Sequence, residues 1–478
     1  MKFDYNVIAI GGGAAGLVTS LISSTLKAKV ALIEKHKMGG DCLNYGCVPS
    51  KSIIRTARFV HDMKRHTDLG VRKVDYEVDL GDVMDRVHGI IKAIEPHDSM
   101  ERYRGLGVDC FAGEAEIIDN HSVRVGAKTL TTKNIVIATG ASPFVPNIKG
   151  LDAITYRTSE NLWQLRELPK RLIVLGGGPI GCEMAQAFQR LGSQVSLVEM
   201  GERILVREDD DVAKLIVDKF QKEGVRILSR AKAIEVVQTA GEKKLICELA
   251  DGQTTEIAFD EILIAVGRKA NTDGIDWGKL GINLNPNGTI KVDQYLRANG
   301  KNIYAAGDVA GPYQFTHTAS HMAYFCTVNA LFSPLFKQKV DYSVIPWTTF
   351  TDPEVAQVGH NEKSAKAAGI PYEVTIKTLE GHDRFLAEGD NYGQVKVLTV
   401  PGKDTIIGAN ITAHNAGELL TEFVTAMKRN IGLGKILGTI HSYPTMSEAN
   451  PQVAGEWKKA RKPERLLGYL EKFHQFRR

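Results

Sequence analysis

The sequence predicts an α/β fold, because a strand, glycine turn, helix and strand follow one another twice along its 478 residues. An apolar run from Tyr5 leads into GGGAAG, a helix, and AKVALIE ending at Glu34. From Arg171 the pattern returns as RLIVL, GGGPIG, a helix, and QVSLVE ending at Glu199, with the same interval from first glycine to acid. A chain of this length is also too long for one ordinary core and predicts about three domains.

Each element has its own physical reason. Val7 to Ile10 reads as a short strand, and Gly11 allows the tight turn after it. Gly13 lets the backbone approach a pyrophosphate, and Gly16 lets helix and strand pack closely. The helix runs to about Lys27, its N-terminus suits phosphates, and Glu34 would accept from a ribose hydroxyl. In the second unit Gly176, Gly178 and Gly181 repeat the triplet, the helix ends near Leu191, and Glu199 stands where Glu34 stood. Two complete fingerprints mean two dinucleotides, and the natural pair for hydride chemistry is a flavin with a nicotinamide. Glu199 would repel a 2′-phosphate, which favours NADH; Arg203 and Arg207 follow closely and could receive that phosphate if the loop turned them inward.

Between the fingerprints, Gly39 to Lys51 reads GGDCLNYGCVPSK and places Cys42 and Cys47 five positions apart. On a regular helix that interval rises about 7.5 Å, whereas a disulfide wants its Cα atoms roughly 4.4–6.8 Å apart. The residues from Leu43 to Gly46 must therefore bend, with Gly46 supplying a conformation closed to other residues and Pro49 fitting the first turn of a helix. That helix start would aim its dipole at Cys47 and favour a thiolate. Polar helical segments are expected around Ile53 to Lys64 and Leu80 to Tyr103, before a strand ending at NIVIATGA.

The cysteine stretch resembles the redox-active disulfide of the FAD-dependent pyridine nucleotide-disulfide oxidoreductases, the family of dihydrolipoamide dehydrogenase, glutathione reductase and mercuric reductase. The resemblance implies two Rossmann-like nucleotide-binding domains plus a C-terminal α+β dimerisation domain: FAD-binding at 1–150 and 271–342, NAD(P)-binding at 151–270, dimerisation at 343–478. It assigns the first fingerprint to FAD and the second to NAD(P)H. Cys47 would face the flavin, Cys42 would exchange with substrate, and Lys51 would stand beside the flavin ring, paired with Glu183. Further FAD contacts are implied at Gly113, at Thr139, Gly140 and Ala141, and at Asp308 in NIYAAGDVA; Gly267 resembles the end of the nicotinamide domain, with Ala270 in place of a proline. From PWTTFTDPEVAQVG onward the chain resembles the dimerisation domain, whose active sites draw on both subunits of a homodimer.

Two features depart from the pattern. Where the disulfide reductases carry a histidine before Pro-Thr, this chain reads His441, Ser442, Tyr443, Pro444, Thr445, and the following Glu448 is kept. A phenol with a pKa around 10 is a poor base at neutral pH, and His441, two residues away on an extended strand, would lie about 6.6 Å off. Ordinary lipoamide or glutathione chemistry is thereby put in doubt. So is mercury reduction in its usual form, since the last cysteine is Cys326 and the first fingerprint begins at Gly11. The second feature is the basic stretch after Trp457, where Leu466, Tyr469, Leu470, Phe473 and Phe476 share one helical face. It reads as an amphipathic helix packed on its own domain, with a membrane-surface helix or a docking site for an acidic partner as alternatives.

The expected activity is a two-electron transfer between NAD(P)H and a disulfide, dithiol or other acceptor through FAD and the Cys42/Cys47 pair; a flavin diaphorase or quinone reductase, and a non-catalytic FAD protein, are the rival classes. A net charge of +4 is too small to argue for nucleic acid, and six cysteines in so long a chain make no secreted disulfide framework. A reducing, cytoplasmic compartment is expected. The uncharged run from Asn6 to Leu26 is explained by strand and glycines rather than by an export signal or a membrane span.

Overall fold

The apolar runs of both fingerprints are apolar on both faces, which suits interior strands of parallel sheets. In the computed structural model, which describes residues 2–239 and 241–478, Tyr5–Ile10 lies between Val30–Glu34 and Lys128–Ile137, all parallel. Val108–Ala112 adds outside Val30–Glu34, and Ile303–Ala305 pairs in parallel with Lys128–Ile137. Ser122–Val125 and Ala115–Asp119 extend the same sheet antiparallel. Val7, Ile8, Leu32 and Ile135 are fully buried there, and the larger of these side chains contribute about 1.5–3 kcal/mol apiece.

The second fingerprint builds a parallel sheet in the order Arg226–Leu228, Gln194–Val198, Arg171–Leu175, Glu261–Ile264. An antiparallel three-stranded sheet, Ala231–Thr239, Glu242–Leu249 and Thr254–Phe259, shares one core with it through Ile173, Val198, Leu245 and Ile257. The chain leaves and re-enters the first sheet's neighbourhood through two short antiparallel strands, Ala141–Pro143 and Arg268–Ala270. All of this forms one compact unit, the residues up to Lys64 with Asp75–Ile204 and Glu223–Asp341.

The second unit comprises Arg65–Val74, Leu205–Lys222 and Tyr342–Arg478. Its antiparallel sheet runs Pro346–Thr349, Glu354–Gly359, Ile406–Ala413, Gln394–Thr399, Glu373–Thr378. Helices Ala416–Lys428 and Ala449–Lys459 cover it around Leu420, Phe423, Val453 and Val397. A charge cluster explains why Leu205–Lys222 belongs here. The fully buried Lys396 ammonium lies 3.2 Å from Asp209, 2.6 Å from Asp211 and 3.0 Å from Glu362. It fills the space that three carboxylates would otherwise offer a metal ion.

Two expectations are corrected. The segment from Leu80 to Tyr103 is two helices, Leu80–Asp98 and Met100–Gly105, because Ser99 turns out of the first and caps the second, accepting from Arg102 N at 3.2 Å. The helix expected to hold Pro49 in its first turn does start at Cys47, and it continues without a break through the segment from Ile53 to Lys64. The C-terminal helix forms over Glu464–Phe476, but it is not packed on its own unit: none of its residues is buried, and Tyr469 and Phe476 are 72% and 90% exposed. Among the described residues no helix is long and apolar enough to cross a membrane.

Candidate active site

Cys42 sits in the short helix Gly40–Asn44, and Cys47 is the first residue of Cys47–Lys64. The bend between them is made by one carbonyl, Asp41 O, which accepts from Tyr45 N at 2.8 Å and Gly46 N at 2.7 Å. Gly46 does not take a left-handed conformation, as the sequence suggested. It is needed for space, since a Cβ there would lie 2.8 Å from the Asp41 carboxylate, and the left-handed positions are Gly39 and Gly40.

The two thiols are unequal. The Cys42 thiol donates to the Cys47 sulfur, which holds Cys47 down to about 6 against the upward pull of burial; Thr316 and the Lys51 charge add to the effect. The same hydrogen bond, with burial, pushes Cys42 far up. Thr316 Oγ1 is 3.4 Å from Cys47 Sγ and opens the helix Thr316–Phe332. Cys47 is therefore at the start of its own helix and beside the start of another, a setting that favours an anion. The other four cysteines are buried, and burial pushes each of their thiols up.

One turn beyond Cys47, Lys51 Nζ meets Glu183 Oε2 at 2.8 Å. Glu183 is carried by Pro179–Leu191, a helix started by its N1 proline and closed by Gly192. The sequence-expected pair is thus brought together.

The two glycine turns are built alike. Gly11 and Gly176 both have φ of +111°, and a Cβ on Gly16 or Gly181 would fall 1.8 Å from the carbonyl of Gly11 or Gly176. Glu34 Oε2 accepts from Gly12 N at 2.5 Å, and Glu199 Oε2 from Gly177 N at 2.6 Å. Gly13 and Gly178 are the N-caps of their helices, and a Cβ on Gly178 would meet nothing within 4 Å. Each turn is therefore an open anion cradle at a helix start with an acid at its rim. Gly113 N donates to Glu34 O at 2.9 Å, which places Gly113 beside the first acid. Arg203 Nη1 donates to its neighbour's carbonyl, Ile204 O, at 3.2 Å, and Arg207 belongs to the second unit.

Thr139, Gly140 and Ala141 form the crossing strand region: Asn271 Nδ2 donates to Thr139 O at 2.8 Å and Asn271 N to Gly140 O at 3.0 Å. Gly267 O accepts from Phe144 N at 2.9 Å. Asp308 follows Ile303–Ala305, and burial raises its pKa while Arg268 opposes. Arg268 reaches Asp41 at 3.3 Å and Asp308 at 3.7 Å, yet its buried Nε has no hydrogen-bond partner. A flavin dinucleotide fits the first of these donor sets, a helix-start cradle with an acid beside it and a buried N–H lacking an acceptor, and the second cradle suits a second dinucleotide.

In the second unit Tyr443 and Glu448 are not hydrogen-bonded to each other. Tyr443 OH donates to Asp383 Oδ2 at 3.0 Å, and Glu448 accepts from Thr445 N at 3.3 Å in a capping box. His441 is in a loop rather than on a strand. Its Nδ1 faces Thr439 O at 3.0 Å and its Nε2 faces Glu422 at 3.0 Å. Burial would lower its pKa, but Glu422 and the carbonyl outweigh that and raise it.

Residues 5–323 match the pyridine nucleotide-disulphide oxidoreductase family, and residues 345–454 match its dimerisation domain. The chain belongs to this family. Among its relatives is a mercuric reductase of Lysinibacillus sphaericus, 32% identical over 445 residues, covering 93% of this chain and 81% of the relative. A dihydrolipoyl dehydrogenase of Geobacillus stearothermophilus is 32% identical over 457 residues, 94% of this chain and 96% of the relative. In structure the chain is similar to the HOCl-induced flavoprotein disulfide reductase RclA from Escherichia coli, with TM-score 0.84 and 27% identity over 94% of this chain and 99% of that one. LpdA from Mycobacterium tuberculosis gives TM-score 0.85 at 27% identity over 94% and 98%. As a pyridine nucleotide-disulphide oxidoreductase the protein uses FAD and NAD(P)H, acts on a sulfur group, and has the α/β architecture with the dimerisation domain of a homodimer.

Missed in the sequence were Thr316, Arg268 with Asp41, Asp383 and Glu422. Thr316 and Arg268 carried a usable signal, the first after the Asp308 motif and the second in VGRKAN. Asp383 and Glu422 carried none.

Proposed function

We propose that Cys42 and Cys47 pass electrons from NADH to a disulfide that is protein-bound or otherwise unusual, and that this occurs in the cytoplasm. The observation that carries the reading is the placement of the Cys47 sulfur between two helix starts, a setting that favours a thiolate, with the Lys51–Glu183 pair one turn away. FAD, when bound, supplies the two-electron chemistry between nicotinamide and disulfide. Gly11, Gly13, Gly16, Glu34, Gly113, Thr139, Gly140, Ala141 and Asp308 would hold it, with Gly176, Gly178, Gly181, Glu199 and Gly267 for the nicotinamide. The functional division is FAD-binding at 1–150 and 271–342, NAD(P)-binding at 151–270 and dimerisation at 343–478.

Two electrons and one proton open the Cys42–Cys47 bond to a thiol on Cys42 and a thiolate on Cys47. Cys42, once deprotonated, attacks one sulfur of the acceptor disulfide and displaces a thiolate, which takes up the proton that Cys42 lost; Cys47 then attacks Cys42, which restores the bond and releases the second sulfur as a thiolate. The Cys42 proton is the difficult step, because its neighbours push that thiol far up. Glu199 favours NADH by repelling a 2′-phosphate.

Anaerobic NADH titration of the purified yellow protein tests this. A long-wavelength band at two-electron reduction supports the thiolate role. A plainly bleached flavin refutes it in favour of a diaphorase. The exposed apolar face and basic flank of Glu464–Phe476 are read as a contact for a partner or membrane surface, tested by vesicle sedimentation with and without residues 464–478.

A further inference from the structure

Beside the cysteine pair lies a carboxylate that looks out of place. Asp41 adjoins Cys42, its carbonyl shapes the bend, and its charge disfavours a thiolate at both sulfurs. The side chain is not left to itself. Arg268, in the returning strand Arg268–Ala270, is largely buried and places Nη2 3.3 Å from Asp41 Oδ1. The same Nη2 donates to Ala141 O, which anchors the guanidinium to the crossing strand. Its Nε faces Asp308 Oδ2 at 3.7 Å, too long for a hydrogen bond. One planar cation therefore spans two carboxylates, one on the redox turn and one at the end of a sheet strand. A lysine could not hold that fork.

We propose that Arg268 is a positioning residue: it holds the Asp41 carboxylate away from the Cys42 and Cys47 sulfurs and fixes the redox turn to the Asp308 strand. Without the guanidinium, the carboxylate is free to turn toward the Cys42 thiol. There it would accept the hydrogen bond that otherwise stabilises the Cys47 thiolate. This inference rests on the proposed role of the cysteine pair, and its test reads the thiolate directly and not turnover.

The measurement is the pH dependence of Cys47 alkylation in the reduced, FAD-loaded protein, with the modified cysteine assigned by peptide mass, in wild type, Arg268→Gln, Asp41→Asn and the double variant. Arg268→Gln is expected to raise the Cys47 midpoint by about one pH unit. Asp41→Asn alone is expected to move it little, and in the Arg268→Gln background to restore it. Such non-additivity is the signature of a shared geometry. If Asp41→Asn shifts the midpoint equally in both backgrounds, Arg268 acts only as a charge through space and the positioning role is wrong. An unshifted midpoint in Arg268→Gln overturns it too. Should Arg268→Gln fail to fold, Arg268→Lys, which keeps the charge and loses the fork, must still raise the midpoint, and Asp41→Asn must relieve it. Wild type lacking the NADH-induced band but showing this non-additivity would sink the proposed function and leave the positioning role standing.

Discussion

Replacing Lys51 with methionine should raise the Cys47 midpoint and weaken the fold together, because one ammonium serves both. At 2.8 Å from Glu183 and an effective dielectric of about 20, its Coulomb attraction is roughly 6 kcal/mol. Desolvation takes back several kcal/mol per ion, and removing one partner of a fully buried pair costs about 3–5 kcal/mol. Glu183 is buried, but the Lys51 side chain is 36% exposed, so about 2 kcal/mol is the expected loss. The Lys51 charge also helps hold Cys47 at about 6, below its ordinary 9.0. The lowered value means that thiolate is present above the midpoint and lost as pH falls through about 6. With the charge gone the midpoint should rise by about one unit, so that the variant loses thiolate already near pH 7. Alkylation rate and the long-wavelength band, both followed against pH, read that midpoint, and urea titration with flavin release as the signal reads stability. Glu183→Gln should move the midpoint down or leave it, since a nearby negative charge is removed. A Lys51→Met protein with wild-type midpoint would show that the cluster does not govern the thiolate.

Cys42→Ser and Cys47→Ser should each abolish turnover with a disulfide acceptor while FAD stays bound by absorbance; full activity in both would place the disulfide outside the electron path. Glu199→Ala should narrow the preference for NADH, read as the ratio of kcat/KM for the two nucleotides; a wild-type preference for NADPH would show that Arg203 or Arg207 decides the pocket. Tyr443→His should raise lipoamide reduction tenfold or more, within the general-base contribution of about 10² to 10⁴, and no gain would indicate an acceptor that needs no proton shuttle from that position.

The fingerprints were legible because their reasons are local. A glycine that must be bare against a carbonyl, an apolar strand and an acid at the strand end all lie within one βαβ unit, and Gly11 and Gly16 make the tight turn and close approach that their spacing implies, while Glu34 accepts from Gly12 N at the turn. Lys51 and Glu183 were legible only through resemblance, for nothing local joins residues on separate helices. Local reasoning misjudged Gly46, where bareness was needed for the Asp41 carboxylate and not for a left-handed backbone. It also missed contacts across long loops. The attachment of Leu205–Lys222 to the second unit depends on Lys396 finding Asp209 and Asp211, and nothing near either segment announces the other. The C-terminal helix shows the remaining limit: periodicity gave the apolar face correctly but could not say what, if anything, packs on it.

Proton accounting narrows the acceptor further. Cys42 must lose a proton before it can attack, and its surroundings oppose that loss. Tyr443 offers a phenol whose pKa is raised by the hydrogen bond it donates to Asp383 and by that carboxylate's charge. His441 cannot take over, because both ring nitrogens face acceptors, Thr439 O and the Glu422 carboxylate. The Glu422 carboxylate and the Thr439 carbonyl raise its pKa against the opposing pull of burial, and those contacts engage both nitrogens. The ring is tied into the loop by those two contacts and is not free to serve another group. His382 is buried with neither ring nitrogen bonded, and burial lowers its pKa despite Glu448 and Asp383; it is closed to solvent. Tyr443 is held above its ordinary pKa, both His441 nitrogens are engaged and His382 is buried, so none of these side chains is an open base. An acceptor that turns over quickly must then bring its own base or carry a sulfur so electrophilic that the small thiolate fraction on Cys42 suffices.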